Sequence, residues 1–387
     1  MGAGANVIGQ TDSQVGIRLS VTLNQFGQVA DQNWTDGATV LSDSQYLYNN
    51  DGMVTYASDS ATGLTAALGG AYQYNALNQL TQYQRGAVSV SGTGSISGVT
   101  ETQQLAWNPQ GALIGEVVNG TTVLNNLGNA QNQNTSNTYN SNGDTSSVIN
   151  AAGQGFSTVY NAWGQPVSYT TTQSIQTGTD PITEAPIYQT FTQAETIQYD
   201  ALGRPMGEYQ TYNFPTSAPG MPNTETTQHT LVYDANNGQV IQEINQINGQ
   251  DPVRYVYGPN GNVILRAAGT NRSLAINQTL YALQGAGGST LAIADTSGNV
   301  VERYVYDGLG NVQALQASGT AYIADSTPGS TGTPGQQINE YFVGSTFDSS
   351  GNQTADGTQY NWTILYQGEN QDALPGVYIT GQGFTLP

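Results

Sequence analysis

The chain has 387 residues, only 9% of them charged, and its formal net charge is −20 because 27 acidic residues stand against seven basic ones. All seven basic residues are arginines, and so few cations cannot neutralise a row of phosphates, which excludes nucleic-acid binding. The absence of cysteine excludes disulfides, thiolate metal sites and cysteine nucleophiles. The length allows one large domain or two to three average ones, and no apolar run is long enough to predict a membrane span.

A seven-residue word recurs along the chain, and its copies set the order of the predicted elements. It consists of an aromatic residue, Asn or Asp, two variable residues, Gly, one variable residue and an apolar residue. Self-similarity of this kind indicates a repeat architecture, although the irregular spacing excludes a tight solenoid with one repeat per coil. In chain order the copies are LNQFGQV at Leu23, YNNDGMV at Tyr48, YNALNQL at Tyr74, WNPQGAL at Trp107, YNSNGDT at Tyr139, YNAWGQP at Tyr160, YDALGRP at Tyr199, YDANNGQV at Tyr233, YGPNGNV at Tyr257, ADTSGNV at Ala294, YDGLGNV at Tyr306 and FDSSGNQ at Phe347.

Each copy of the word predicts a β-hairpin turn. The Asn or Asp side chain hydrogen-bonds the backbone two residues on, and Gly supplies the positive φ with which the chain leaves the turn. Tyrosines at equivalent positions of neighbouring strands would form an aromatic ladder, with each pair adding about 0.5–1.5 kcal/mol beyond its area burial. The residues predicted to carry the repeat are the aromatics Tyr48, Tyr74, Trp107, Tyr139, Tyr160, Tyr199, Tyr233, Tyr257 and Tyr306 and the glycines Gly52, Gly111, Gly143, Gly164, Gly203, Gly261 and Gly310.

The segments that flank the words predict the strands. Stretches such as ETIQYD, HTLVYD, VRYVYG and VERYVYD alternate polar with apolar or aromatic residues, which is the period-two pattern of a sheet with unlike faces. Longer segments rich in Gly, Pro, Ser and Thr, near residues 95, 178, 220 and 330, are expected in the outer hairpin loops. The sequence therefore predicts an all-β fold of antiparallel hairpins.

The series of words resembles the YD repeats of the RHS family, which includes RHS polymorphic toxins, the C component of Tc toxins, wall-associated proteins and teneurins. The likeness is strongest at LYALQGAGGSTLAIADTSGNVVERYVYDGLGNV and continues at YQGENQDALPGVYITGQGF. It implies an antiparallel β-hairpin ribbon that spirals into a shell or barrel-like wall, completed within one chain or by assembly. It also implies a single YD-repeat domain over 1–387, with the repeat array and its long hairpin insertions in 1–280 and RHS-core-like repeats in 281–387.

The resemblance implies a further feature that this sequence does not share. In toxins of the family the shell encloses a C-terminal effector, which is released by an aspartate-dependent self-cleavage near a DP.GR motif. This chain contains no DP.GR segment. Self-cleavage and an enclosed toxic effector are therefore not supported by the sequence.

Residues suited to catalysis or metal binding are few. His229 is the sole imidazole and stands at the start of an alternating strand, so we interpret it as a surface or satisfied strand residue. DANNGQVIQEIN begins like an EF-hand loop at Asp234, but Gly238 stands one place early and Asn245 replaces the bidentate Glu, which favours a hairpin turn with one extra residue. We predict no catalytic residue, no metal site and no cofactor.

The four tryptophans would suit stacking on sugars in a binding groove. Trp107 stands in for the aromatic residue of the word, and Trp163 lies inside a turn, so both are interpreted as structural. The other two are Trp34 and Trp362.

Three hypotheses for function remain. The first is a non-enzymatic structural scaffold, extracellular or at a cell surface. Because the two edges of an open ribbon recruit other chains when lysine does not blunt them, we expect it to self-assemble into a filament or stacked shell or to bind other surface proteins, with carbohydrate as a further candidate ligand. The second is the carrier portion of a polymorphic toxin that lacks its effector. The third is a polysaccharide hydrolase built on a pair of acids that the sequence does not mark.

Overall fold

The computed structural model describes residues 16–125, 137–149, 155–179, 186–213, 224–245, 252–269 and 278–321, with short stretches beyond them. Every regular element of these residues is a β-strand, which confirms the all-β class predicted from the sequence. The strands pair in chain order, each antiparallel to the next, as expected when hairpins make the connections. Neither large sheet closes on itself among the described residues, so the fold is an open ribbon.

The first sheet has nine strands, in the order β1 to β9. In β1 the exposed and less exposed side chains alternate, which is the pattern of a strand with one face against protein. The strands are β1 (Ile17–Leu23), β2 (Val29–Asp36), β3 (Thr39–Tyr48), β4 (Val54–Ser60), β5 (Gly69–Tyr74), β6 (Leu80–Ser89), β7 (Ser95–Trp107), β8 (Leu113–Val118) and β9 (Thr121–Asn125).

The second sheet has fourteen strands, in the order β10 to β23. It begins after β9, so the described sheets divide well before residue 280, the boundary that the sequence suggested between the two parts of the repeat array. That boundary stays a prediction. The strands are β10 (Thr138–Tyr139), β11 (Thr145–Ile149), β12 (Gly155–Tyr160), β13 (Pro166–Thr179), β14 (Pro186–Tyr199), β15 (Pro205–Asn213), β16 (Thr224–Tyr233), β17 (Val240–Asn245), β18 (Pro252–Tyr257), β19 (Val263–Ala268), β20 (Gln278–Gln284), β21 (Thr290–Ala294), β22 (Val300–Tyr306) and β23 (Val312–Gln316).

Two small sheets follow the second one. The first pairs two strands and the second pairs three. Their strands are β24 (Thr346–Phe347), β25 (Gln353–Ala355), β26 (Asn370–Gln371), β27 (Tyr378–Thr380) and β28 (Gly383–Thr385).

The repeated word folds as a hairpin turn with a bulge, as its first copy shows. The Oδ1 atom of Asn24 accepts hydrogen bonds from the backbone N–H groups of Phe26 (2.9 Å) and Gln28 (3.1 Å). The N–H of Gly27, whose φ is 81°, donates to the carbonyl of Asn24 (3.0 Å). The positive φ adds a residue to one strand, and the pairing register shifts beside the turn.

In the two large sheets the turns built by the word lie along one edge, because they join every second pair of strands in a meander. The exception is the copy at Ala294, whose turn at 295–299 joins β21 to β22 on the opposite edge, while the turn at 285–289, which is not a copy of the word, takes its place. We call the first of these edges the motif rim. It consists of the turns at residues 24–28, 49–53, 75–79 and 108–112 in the first sheet and at 140–144, 161–165, 200–204, 234–239, 258–262, 285–289 and 307–311 in the second.

The insertions near residues 95 and 178 lie in outer hairpins, as expected, but much of their length forms strands rather than loops. Strands β13 and β14 run for 14 residues each, and Ile175 within the insertion pairs with Gln189. Their many Thr residues fit this result because a β-branched side chain favours the extended backbone. Part of the segment near 220 and all of that near 330 lie outside the described residues.

The ribbon overlaps itself, because one face of the first sheet lies on strands β20 to β22. Side-chain nitrogens of Gln32 and Trp34 in β2 both donate to the carbonyl of Gln284, at 2.7 and 2.8 Å. Nη2 of the buried Arg303 donates to the carbonyl of Leu41 (2.9 Å). Hydrogen bonds to backbone therefore hold much of this contact.

The two faces of strands β20 to β22 are both covered. Leu283, Ala292 and Ala294 pack with Ile17 and Leu41 of the first sheet. The alternate side chains form a second core on the opposite face, where residues 362, 364 and 365 cover them. This second core contains Val263, Leu280, Ala282, Ile293, Tyr304, Val312, Ala314, Trp362, Ile364 and Leu365.

The turn geometry predicts opposite effects for two substitutions. At Gly164 the φ is 74°, and an added methyl group would meet no other atom within 4 Å. Gly164→Ala should therefore lower the free energy of unfolding by about 1–2 kcal/mol through backbone strain alone. Asn78 holds the same turn position with φ of 60°, so Asn78→Gly should be neutral or stabilising. Urea denaturation of both variants checks the pair, and an unchanged Gly164→Ala protein would contradict the turn assignment.

Candidate functional site

The bulge in each motif turn leaves one backbone carbonyl outside the β-ladder between successive hairpins. Where β2 pairs with β3, the pair of residues nearest the rim is Asp31 and Gln45. Val29 lies two residues closer to the rim and therefore has no partner in β3. The same gap of two residues recurs beside Val54 and Pro166. A buried carbonyl without a hydrogen bond is costly, so each gap requires a donor.

The aromatic residue of the next word supplies that donor. The hydroxyl of Tyr48 donates to the carbonyl of Val29 at 2.7 Å, and the hydroxyl of Tyr74 donates to Val54 at 2.9 Å. We call this series the donor ladder. In the remaining aromatic members the side chain likewise donates to a backbone carbonyl. The donor and acceptor residues are Trp107 and Leu80, Tyr160 and Thr145, Tyr199 and Pro166, Tyr233 and Pro205, Tyr257 and Val240, and Tyr306 and Thr290.

The sequence identified these residues for another reason, namely aromatic stacking across strands. The structure places eight of the nine candidate aromatics in the donor ladder through their polar atoms. The ninth, Tyr139, lies in β10, and the residues that precede its strand fall largely outside the described part of the chain. Close ring contact occurs elsewhere, between Tyr72 and Tyr83, whose ring centroids are 5.3 Å apart.

Burial keeps the tyrosines of the ladder in their donating form. Burial, with the nearby carboxylates of Glu208 and Glu195, raises the pKa of Tyr199 to about 12. Burial and the Glu208 carboxylate also raise the pKa of Tyr233 to about 12, against the opposing effect of Arg204. Both hydroxyls therefore keep their protons throughout the ordinary pH range.

One member of the donor ladder was missed from the sequence because it is not aromatic. Gln284 precedes the turn at 285–289, and its Nε2 donates to the carbonyl of Val263 at 2.8 Å. The Val263 carbonyl follows directly after the turn at 258–262, which is the position of the acceptor in the rest of the donor ladder. The amide of Gln284 therefore takes the place of a tyrosine hydroxyl. A search for a donor at this position, rather than for an aromatic ring, would have found it.

A second set of hydrogen bonds joins neighbouring turns at the rim itself. Nδ2 of Asn161 donates to Oε1 of Gln165 within one turn (2.9 Å), and Nε2 of Gln165 donates to the carbonyl of Gly203 in the next (3.0 Å). Gln28 makes the same contact with Gly52 at 3.1 Å. These glutamines link separate hairpins without any charge, in keeping with a chain that has few charged residues.

The donor ladder predicts a cost for removing one hydroxyl. Tyr74→Phe should lower the free energy of unfolding by about 1–2 kcal/mol, because the Val54 carbonyl loses its donor while the ring remains. Tyr56→Phe is the matched control, since the Tyr56 hydroxyl has no hydrogen-bond partner within the described residues. Denaturant titration compares the two variants, and equal stabilities would contradict a structural role for the hydroxyl.

A row of ionisable groups crosses one face of the second sheet. His229 and Glu208 are register partners, and Nδ1 of His229 lies 2.5 Å from Oε1 of Glu243. The hydroxyl of Tyr255 donates to the other oxygen of Glu243 at 3.1 Å. Nε2 of His229 is buried without a hydrogen-bond partner in the described structure. The imidazole is therefore satisfied on one side only, which refines its interpretation as a satisfied strand residue.

The row continues on both sides of this group. In one direction the hydroxyl of Tyr169 donates to Glu195, and both residues are buried. In the other, Nη1 of Arg266 donates to Oε1 of Gln278 (3.2 Å) and to the carbonyl of Tyr360 (3.3 Å). The described residues contain no group of three or more acidic or histidine side chains placed to hold a metal ion.

The charges in this row shift one another's pKa values. Burial opposes the imidazolium, but the hydrogen bond and charge of Glu243, with Glu208 and Glu195, raise the pKa of His229 to about 9. Burial and the Glu243 charge raise the pKa of Glu208 to about 7 despite the neighbouring His229. The imidazole is therefore protonated at neutral pH and is a poor general base there.

These shifts predict that stability falls as pH rises from 5 to 10. Because the pKa of Glu208 is raised to about 7, the folded protein holds a proton there that the unfolded chain has lost, and stability falls as pH rises from the usual pKa of a glutamate to about 7. Because the pKa of His229 is raised to about 9, the stabilisation that the protonated imidazole provides is complete below the usual pKa of a histidine and is lost as pH rises through about 9. Thermal denaturation at pH 5, 7 and 9 measures the slope.

Two variants separate the contributions to this pH dependence. Glu208→Gln should flatten the profile between pH 5 and 7, and His229→Gln should flatten it between pH 7 and 10. A wild-type protein that becomes more stable over this whole range would show that the folded state does not hold these extra protons.

The structure separates two tryptophans that the sequence treated alike. Trp107 is structural, because its Nε1 donates to Leu80 at 2.6 Å. Trp163 is 84% exposed, so its structural interpretation is wrong. The backbone N–H groups of Trp163 and Gln165 both donate to Oδ1 of Asn161, and the turn that these bonds form directs the Trp163 side chain into solvent. The segment at Asp234 is a hairpin turn with one extra residue, as predicted.

The fold and the donor ladder together define an antiparallel β-ribbon of hairpin repeats. No protein-family model matches the chain, and no curated protein is similar to it. The solved structures that are similar to it include TcdB2-TccC3, at 15% identity and a TM-score of 0.43 over 98% of this chain and 20% of that chain. The structure of TcdB2-TccC3 without its hypervariable C-terminal region is 14% identical, with a TM-score of 0.43, over 98% of this chain and 19% of that chain.

A third similar structure is the Photorhabdus luminescens Tc holotoxin pore. It is 14% identical, with a TM-score of 0.37, over 95% of this chain and 19% of that chain. The chain thus spans about a fifth of the length of the structures it resembles.

Proposed function

We propose that this chain is a non-enzymatic scaffold of the RHS type, a section of ribbon wall that associates with further polypeptides outside the cell or at its surface. The observation that carries this proposal is the donor ladder, which repeats one contact from Tyr48 to Tyr306 across both sheets. A device that is copied beside successive turns of the motif rim extends a wall, whereas a catalytic site needs unlike groups brought together once.

The ionisable row supports the non-enzymatic proposal. His229 is held as an imidazolium by Glu243 and is therefore unsuited to accept a proton at neutral pH. Glu208, with a pKa of about 7, is the one group of the row whose protonation would suit acid–base chemistry. A polysaccharide hydrolase on this scaffold would depend on that carboxyl group.

The carrier function is a second candidate, and one observation favours it. The face that bears Glu195, Glu208 and Glu243 also bears Tyr199 and Tyr233 of the donor ladder, so this part of the ribbon has a face rich in polar and acidic groups. A wall around another polypeptide would present such a face to its contents.

Self-assembly through sheet edges tests the scaffold proposal. Strand β1 ends the first sheet, and its Ser20 and Thr22 are exposed. Ser20→Lys/Thr22→Lys should reduce assembly because charged edges resist pairing. Gln104→Lys/Ala106→Lys is the matched control, with the same charge change on exposed sites of the interior strand β7. Sedimentation velocity over a range of concentrations, with negative-stain microscopy, compares the three proteins.

We expect concentration-dependent growth for the wild type and the control and monomers for the edge variant. A wild-type protein that stays monomeric at every concentration contradicts self-assembly and favours the carrier candidate. Hydrolysis of a polysaccharide that disappears in Glu208→Gln would instead overturn the non-enzymatic proposal.

A further inference from the structure

The most exposed large hydrophobic side chains of the described residues share one position in the repeat. They are Trp163 (84% exposed), Phe26 (78%), Leu202 (78%) and Leu77 (71%). Each is the third residue of a motif turn, counted from the Asn or Asp that starts it. All four therefore project from the motif rim and not from the faces of the sheets.

The rims of the two sheets come together at the turn 285–289. The backbone N–H of Ala286, in the rim turn 285–289 of the second sheet, donates to the hydroxyl of Tyr46, which lies close to the rim turn 49–53 of the first (3.2 Å). The turn at 307–311 also contacts the first sheet, because the N–H of Gly308 donates to Oε1 of Gln103 in β7 (2.9 Å). The two rims thus meet at the turn 285–289, with Phe26 and Leu77 on the rim of the first sheet and Trp163 and Leu202 on the rim of the second.

The tips stand apart from one another. Trp163 and Leu202 occupy neighbouring turns and are separated by two strand spacings, about 10 Å. Phe26 and Leu77 are two turns apart, with the exposed Asp51 on the turn between them. Separate projecting side chains of this kind suit insertion into a soft apolar medium better than contact with a close-packed protein surface, which requires a continuous patch.

The polar groups of these turns are already used, which lowers the cost of removing the turns from water. Around Trp163, Oδ1 of Asn161 accepts from two backbone N–H groups, and the amide of Gln165 bonds to Asn161 and to Gly203. At Leu202, the carboxylate of Asp200 accepts from backbone N–H groups and forms an ion pair with Arg204 at 2.7 Å. A polar ligand such as a sugar would find few free donors or acceptors on these side chains.

The net charge of the chain favours one of the apolar surfaces to which the exposed tips could bind. A net charge of −20 without any lysine disfavours an anionic membrane, since nothing offsets the repulsion from its lipid headgroups. The same charge disfavours rim-to-rim pairing of two copies. A neutral bilayer surface carries no such repulsion, and tryptophan is enriched where a bilayer meets water.

We propose that the motif rim is a membrane-docking surface, which inserts Phe26, Leu77, Trp163 and Leu202 into the interface of a zwitterionic lipid bilayer. The strands stay outside the bilayer, and only the turn tips enter it. Among the described residues there is no helix long and apolar enough to span a membrane. Insertion of the tips is independent of the scaffold's assembly state.

Vesicle flotation tests the proposal with phosphatidylcholine vesicles as the probe. The wild type should float with the vesicles, and Phe26→Ser/Leu77→Ser/Trp163→Ser/Leu202→Ser should lose at least about tenfold in partitioning because the inserted apolar area is removed. Val99→Ser/Val123→Ser is the control, since these exposed valines lie away from the motif turns and should leave binding unchanged. Adding phosphatidylserine to the vesicles should weaken binding.

A second measurement depends on a single mild substitution. Brominated phosphatidylcholine should quench the emission of the wild type but not of Trp163→Phe, because Trp362 is buried and Trp34 and Trp107 bond to backbone carbonyls within the protein. A wild type that does not float, equal loss in the tip and control variants, or tip-dependent dimers without vesicle binding would each overturn the proposal.

Discussion

A hydrogen bond from a side chain to the first carbonyl beyond each turn holds successive hairpins together, and the rest of the ribbon depends on it. The glycine bulge that closes a turn shifts the register, so the backbone ladder to the next hairpin ends two residues early. A buried carbonyl left there would cost about 1–3 kcal/mol. Tyr48, Trp107 and Gln284 close this gap with three different donors, which shows that the requirement is for a donor and not for a ring.

This constraint explains how a chain with so few charges forms extensive sheets. Neutral donors do the work that ion pairs do elsewhere, both along the donor ladder and where Gln32 and Trp34 attach the first sheet to Gln284. The charges that are buried occur in groups, as in Glu208, His229 and Glu243, where each carboxylate or imidazolium has an opposite charge nearby. The ribbon is thus assembled from local turns and neutral cross-strand bonds, with the acidic row on the face that also bears the tyrosines.

The local elements could be predicted from the sequence, because the turn chemistry of Asn, Asp and Gly acts within a few residues. The positive φ of Gly164 and Gly203 follows from such a pattern. The overlap of the sheets could not, since the contact from Arg303 to Leu41 joins residues far apart in the chain and leaves no local signal. Trp163 was misjudged because membership of a turn says nothing of which way the side chain points.

The donor requirement is tested most directly at Gln284, where the hydrophobic effect and hydrogen bonding predict opposite signs. Gln284→Met keeps the length of the buried side chain and makes it apolar, but it removes the donor to the Val263 carbonyl. We predict that its free energy of unfolding, measured by urea denaturation, falls by about 1–3 kcal/mol. A variant as stable as the wild type, or more stable, would contradict the account, because burial alone would then suffice at that position.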